Sequence, residues 1–204
     1  MSKNSAIIPF DFSKDYILED DFVLLRPLDP NDFNHLLTFA LNEPEIWKYS
    51  LLSGAGEEGL KNYITQAVEA RQALKEYPFI VYDKINQSYA GSTRFYDIQL
   101  AYHTVQLGYT WYGKKFQGTR VNKHCKFLLF TFAFEQMSFE RVELRADNRN
   151  TRSKAAMQSI GCTVEGVLRR HMPAPEGGRR DSIVLSILDD EWKDSVKEML
   201  RGKL

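Results

Sequence analysis

The chain has little sulfur to build with: two cysteines, Cys125 and Cys162, in 204 residues. Two thiols cannot form a disulfide scaffold, and their separation is not that of a metal site, so they read as buried thiols in a reducing compartment. Net charge is also absent, with 27 Lys plus Arg against 27 Asp plus Glu. No global field therefore draws the chain to nucleic acid or to an anionic membrane. No apolar run approaches the roughly 20 residues of a membrane span, and residues 1–20 lack the cationic start and apolar core of a signal peptide. A cytoplasmic protein is expected. The most local absence is of acid. From Ile98 through Phe134 there is no Asp or Glu, while Lys114, Lys115, Arg120, Lys123 and Lys126 all fall inside. Spread evenly, 27 acids would place about five in such a window.

What is present is an apolar content of 43 % and an aromatic content of 13 %, enough for one full core. We read residues 1–204 as a single domain with an N-terminal extension over 1–20. Phe22 to Arg26 reads as a strand. Phe33, Leu36, Leu37, Ala40 and Leu41 recur at helical spacing, and after an irregular stretch from Trp47 to Gly59 a second helix is expected from about Leu60 to Leu74, with Ile64, Ala67, Val68 and Leu74 inward. Phe79 to Tyr82, Tyr89 to Tyr96 and Thr104 to Trp111 read as an antiparallel meander. Thr119 to Met137 is the strongest helix, apolar on two faces and hence buried. Arg141 to Ala146 alternates as a strand and is expected parallel to Thr104–Trp111, in a right-handed crossover. A helix over Thr151 to Ile160, strands near Val164–Arg170 and Ser182–Leu188, and an amphipathic helix from Asp189 complete an α+β pattern with a mixed sheet.

The acid-free window joins a strand end to the head of the strongest helix, W-Y-G-K-K-F-Q-G-T-R-V-N over Trp111 to Asn122. The first amides of a helix lack internal partners and the helix dipole adds positive charge there, so phosphate oxygens can bind main chain alone. The alternative is an ordinary turn with Thr119 as N-cap. The lysines and the missing acids favour an anion.

Gln117, Gly118, Thr119, Arg120, Val121 and Asn122 resemble the acetyl-coenzyme A signature Q/R-x-x-G-x-G/A of the GNAT N-acyltransferases, with Arg120 and Asn122 where the family usually has small residues. Asn150-Thr151-Arg152-Ser153, Ile160-Gly161-Cys162 and Glu165-Gly166 are similar to a second family block. Arg141-Val142-Glu143-Leu144, Arg169-Arg170-His171 and Arg180-Asp181-Ser182 resemble the branch of the ribosomal-protein N-terminal acetyltransferases of RimJ/RimL type. The likeness runs from Phe22 to Leu204. It implies a GNAT fold, a mostly antiparallel twisted sheet around a central buried helix, and acetyl transfer from acetyl-CoA to a primary amine by direct attack in a ternary complex. The acceptor would be a peptide or protein α-amine or a small amine.

By the same resemblance, main-chain groups of Gly108, Tyr109 and Trp111 would hold the pantetheine arm, with core packing the alternative role for the two aromatic side chains. Asn150 would bind that arm or cap its helix. A family tyrosine that protonates the thiolate is here Met157, and Ser153 is the neighbouring hydroxyl, either the general acid or a solvent-facing helix residue. Glu143, His171 and Asp181 are the candidate bases, with a water relay as the alternative. Trp47, Tyr49 and the flexible 53–58 segment lie where such folds build the acceptor wall, although Trp47 also reads as a core anchor. No metal, nucleic acid or membrane partner is expected, and homodimerisation is left open. Two other readings compete: a coenzyme-binding protein without turnover, suggested by Met157, and an RNA-binding stripe over Lys114 to Lys126, disfavoured by the neutral chain.

Overall fold

The computed structural model describes residues 10–204. Residues 1–9 of the expected extension lie outside the described residues. Eight strands form one sheet: β1 (Leu18–Glu19), β2 (Val23–Pro27), β3 (Tyr77–Asp83), β4 (Ser88–Gln99), β5 (Thr104–Tyr112), β6 (Arg141–Asp147), β7 (Thr163–Pro173) and β8 (Arg179–Leu188). Their order is β1-β2-β3-β4-β5-β6-β8-β7. Every neighbouring pair is antiparallel except β5 and β6, which run parallel and share only the pairs Thr104↔Arg141, Val105↔Val142 and Gln106↔Glu143. The expected mixed sheet and crossover are both present. The crossover is helix α3 (Val121–Thr131), whose Cys125, Leu129 and Phe130 are fully buried.

Helices α1 (Phe33–Asn42) and α2 (Gly56–Gln72) pack together. The entry to α1 is fixed by a capping box: Asp29 accepts from the amide of Asn31, and Asp32 accepts from the amide of Asp29 at 2.9 Å. Arg26 at the end of β2 clamps the buried Asp32 carboxylate at 2.5 Å, which joins sheet to helix. Helix α4 (Thr151–Ser159) precedes β7, and the chain closes with helical turns over Asp189–Glu191 and Lys197–Arg201 joined by a π-turn at Trp192–Val196.

Several boundaries differ from the sequence reading for identifiable reasons. The two-residue β1 has no alternation to detect. β3 starts at Tyr77 and contains Pro78, a residue that normally argues against a strand interior. Helix α2 begins at Gly56, four residues before the expected start, and ends at Gln72. Leu74, expected inward, lies past that end in a left-handed turn and is 63 % exposed; Leu41 is also exposed, because Phe39 and Ala40 take the inward face of α1. The strongest helix does not run unbroken to Met137. It passes at Phe132 into a π-turn over Phe132–Gln136, where Glu135 accepts from the indole N–H of the buried Trp192 at 2.8 Å.

Candidate active site

Beyond Gln106↔Glu143, β5 parts from β6 and leaves its main chain unpaired on that side. On its other edge β5 carries a bulge: Ser92 pairs Trp111 and Arg94 pairs Gly108, so Tyr109 and Thr110 together face Thr93. Tyr109 adopts φ 48°, sparsely populated for a non-glycine residue. Three contacts hold it there. The Tyr63 hydroxyl donates to the Tyr109 carbonyl at 3.2 Å, the Tyr96 ring meets the Tyr109 ring edge-on at 5.2 Å, and the Arg94 guanidinium lies 4.1 Å from it. A Cβ on Gly91 would stand 2.0 Å from the Trp111 carbonyl oxygen, so only glycine lets β4 approach β5 at this point.

The opening between β5 and β6 belongs to one cavity of about 770 Å³. Its wall includes Trp47 and Tyr49, Gly108, Tyr109 and Trp111, and Gln117, Gly118, Thr119 and Asn122 with Asn150 and Ser153. Trp47 is also the core anchor allowed by the sequence, 2 % exposed with its ring 4.8 Å from that of Trp111. The 53–58 segment does not reach the wall; Ser50, Leu51 and Leu52 do.

The head of α3 fits an oxyanion. It has no acid in its first turn, and its N-cap is Arg120 with no side-chain capping bond. Thr119, a candidate cap from the sequence, partners the first helical amide and also fastens the preceding turn. Its hydroxyl donates to the Phe116 carbonyl at 2.7 Å and accepts the Val121 amide at 3.3 Å. Gly118 takes φ +72°. Gln117 accepts from Arg152 of α4 and donates to the Tyr112 carbonyl at 2.8 Å, tying the signature loop to the second block. Arg120 and Val121 stand off the wall, Val121 in the core, so the bulk at position 120 does not fill the cavity. Of the five cations in the acid-free window, Lys123 and Lys126 reach the wall, whereas Lys114 pairs with Glu45.

Asn150 caps α4, accepting the Ser153 amide at 3.0 Å. Met157 and Ser153 both line the cavity. Of the candidate bases, His171 is on the wall, with Nδ1 3.0 Å from the Ser182 hydroxyl and Nε2 3.4 Å from Arg145. Partial burial, then Arg145 and Arg180, hold its pKa below the ordinary imidazole value, so the ring is neutral near pH 7. Glu143 is not on the wall; Arg141 and Arg145 hold its carboxylate at 2.7 and 2.6 Å. Asp181 accepts the Arg170 amide at 2.7 Å, outside this cavity. Cys125 and Cys162 are buried, which pushes both thiols up to about 12 and makes them poor nucleophiles.

Of the wall residues that the sequence reading did not place in the site, three matter most. Asp97, the last acid before the acid-free window, lies on β4 and accepts from Gln106 at 2.7 Å. Arg180 donates to the Tyr49 carbonyl at 3.2 Å. Lys126 reads in the sequence only as part of a charge run, and its position on the inner face of α3, set against helical spacing, was the available signal.

Residues 23–163 match a family described as the acetyltransferase (GNAT) domain. A Bacillus subtilis (strain 168) protein named as a candidate ribosomal N-acetyltransferase, YdaF, is 28 % identical over 106 residues, 52 % of this chain; the chain spans 57 % of the length of that curated relative. A solved structure of a candidate acetyltransferase from T. thermophilus superposes with a TM-score of 0.82 at 29 % identity, covering 92 % of this chain and 96 % of that one. Mycobacterium smegmatis RimJ, solved in complex with CoA-disulfide, shares the fold with a TM-score of 0.75 at 17 % identity over 93 % of each chain. Among the described residues, no helix is long and apolar enough to cross a membrane.

Proposed function

The chain belongs to the GNAT acetyltransferase family, on its RimJ/RimL-like branch, and from that premise we propose that it transfers an acetyl group from acetyl-CoA to a primary amine by direct attack in a ternary complex. One observation carries the reading: a single cavity joins the unpaired main chain of β5 to an acid-free helix start. The pyrophosphate would take the first amides of α3 with Gly118, Thr119 and Asn122, and Lys123 adds charge beside them. Asn150 and the main chain of Gly108, Tyr109 and Trp111 would hold the pantetheine arm. Acetyl-CoA supplies the activated acetyl thioester when bound.

Trp47 and Tyr49, both on the cavity wall, would face the acceptor. A neutral His171 there can take the proton that the attacking amine must lose. Glu143 acts at one remove, orienting Arg145, which abuts His171. Two thiols raised to about 12 support direct attack over an acyl-cysteine intermediate. The ribosomal wording in the name of the Bacillus relative makes a protein α-amine the preferred acceptor class.

Met157, at the place of the family's proton-donating tyrosine, favours a second reading in which coenzyme is bound without turnover. Calorimetric titration with acetyl-CoA, followed by thiol release over a panel of small amines and N-terminal peptides, separates the two. Turnover on any acceptor removes the second reading; binding without turnover on every acceptor removes the first.

A further inference from the structure

Lys126 occupies an unusual position for a lysine. It is 4 % exposed, on the inner face of α3, and lines the cavity. Its ammonium donates to the hydroxyl of Thr110 at 3.0 Å. No ion pair involves it among the described residues. The charged or titratable groups that bear on it are the Cys125 and Cys162 thiols, both neutral. Burial pushes the ammonium down to about 8. An isolated buried cation is costly, and such groups are found where a function uses them.

Its partner shows where that use lies. Thr110 is in the bulge of β5, beyond the last pair with β6, where the main chain of β5 faces the open wedge. The Thr110 hydroxyl also exchanges a 2.7 Å hydrogen bond with that of Thr93. Met157 of α4, with no proton to give, lines the same cavity. The wedge thus contains a buried cation with no counter-charge, beside a site that the proposed function fills with a group becoming an anion.

Resting on that function, we infer that Lys126 is the catalytic acid of the transfer, giving its proton to the thiolate that departs when the amine displaces coenzyme A. The amine nitrogen bonds to the acetyl carbon, the carbon–sulfur bond breaks with its electron pair going to sulfur, and Lys126 Nζ protonates that sulfur. The amine loses one proton to His171 or water. Lys126 regains one from solvent while His171 or the water gives one up to it, which leaves amide and thiol with the enzyme in its starting state. A donor with a pKa close to that of the departing thiol is well matched to this exchange.

Coenzyme A alone tests it, without an acceptor. Thiolate absorbance near the ultraviolet edge is followed against pH for free coenzyme A, for its complex with the wild type, and for its complex with Lys126→Met. The wild type should lower the bound thiol's pKa by about one unit, a tenfold gain in acidity, and Lys126→Met should abolish the shift, with Lys126→Arg retaining part of it. A bound thiol that titrates as in free coenzyme A in the wild type overturns the proposal, even if the methionine variant fails to fold. A shift that survives in a folded Lys126→Met overturns it too. Absence of any calorimetric binding of coenzyme A to the wild type overturns the underlying function, and this proposal with it.

Discussion

The guanidinium of Arg94 lies 4.1 Å from the ring of Tyr109 and pairs with Glu76 at 2.7 Å, while only 2 % of Arg94 is exposed. The strained turn of β5 at the cavity thus rests on a buried charge whose single counter-ion comes from the loop after α2. Glu76→Gln leaves that guanidinium without its neutralising partner. A stability loss of about 3 kcal/mol is expected, together with weaker coenzyme A binding, because the platform under Tyr109 loosens. Urea denaturation and calorimetry read the two effects; an unchanged midpoint would mean that the flanking rings hold Arg94 unaided.

Two glycines separate steric from conformational demands. Gly91→Ala would press a Cβ to 2.0 Å from the Trp111 carbonyl oxygen, where only backbone movement relieves it, and should lower stability by more than about 2 kcal/mol. Gly118→Ala meets nothing within 4 Å, so its penalty is the left-handed conformation alone, about 1 kcal/mol. Gly118→Pro cannot adopt φ +72° and loses a main-chain donor, and coenzyme affinity should fall at least tenfold by calorimetry.

Ser153 and Lys126 make opposite forecasts for one variant. Ser153→Ala keeps the amide bond to Asn150 that caps α4. If Lys126 donates the proton, turnover should fall by less than about threefold, far below the roughly hundredfold or more that a positioned acid contributes. A loss of a hundredfold at constant coenzyme affinity would return the role to Ser153.

The edge of the sheet should loosen in acid. Arg141 first, then Ser186, hold the Glu165 carboxyl down to about 2 from 4.5, pinning β7 to β6 and β8. The folded value is the lower one, so this contribution is complete above pH 4.5 and is lost as the pH falls toward 2. The protection of the β7 amides, taken relative to their intrinsic exchange rates, should fall from pH 5 to 2.5 in the wild type, and the dependence should flatten in Arg141→Met.

At the alkaline end Lys126 gives a slope of the same sign for a different reason, the relief of a buried charge. Its folded pKa of about 8 lies below the ordinary 10.5, so between those values the unfolded chain binds the extra proton and stability rises with pH. The stability difference between wild type and Lys126→Met should therefore move in favour of the wild type from pH 8 to 10. Denaturant midpoints at both pH values measure it; a flat difference would mean that Lys126 titrates normally.

The three-strand meander, the buried crossover helix and the parallel junction were legible because each rests on hydrophobic period and loop length. So was the acid-free head of α3, since a missing charge is visible in one dimension. The bulge at Tyr109–Thr110 was not, because it depends on Arg94 and Tyr63 arriving from elsewhere in the chain. Asp97 and Arg180 escaped for a related reason: they come from β4 and β8, and only the folded sheet brings them to one cavity. Glu143 looked like a base on sequence, yet Arg141 and Arg145, two residues to either side, share its face of the strand, and that spacing was the local sign of the ion pairs that neutralise it.

Three ladder pairs between β5 and β6 are a thin seam in a sheet of eight strands. Mechanically, the sheet is two stiff plates joined along a short stitch, with α3 running between them as the strap. Tension applied across that line should open the protein there first, and a ligand lying in the gap would work as a splint, raising the rupture force without touching either plate's own core.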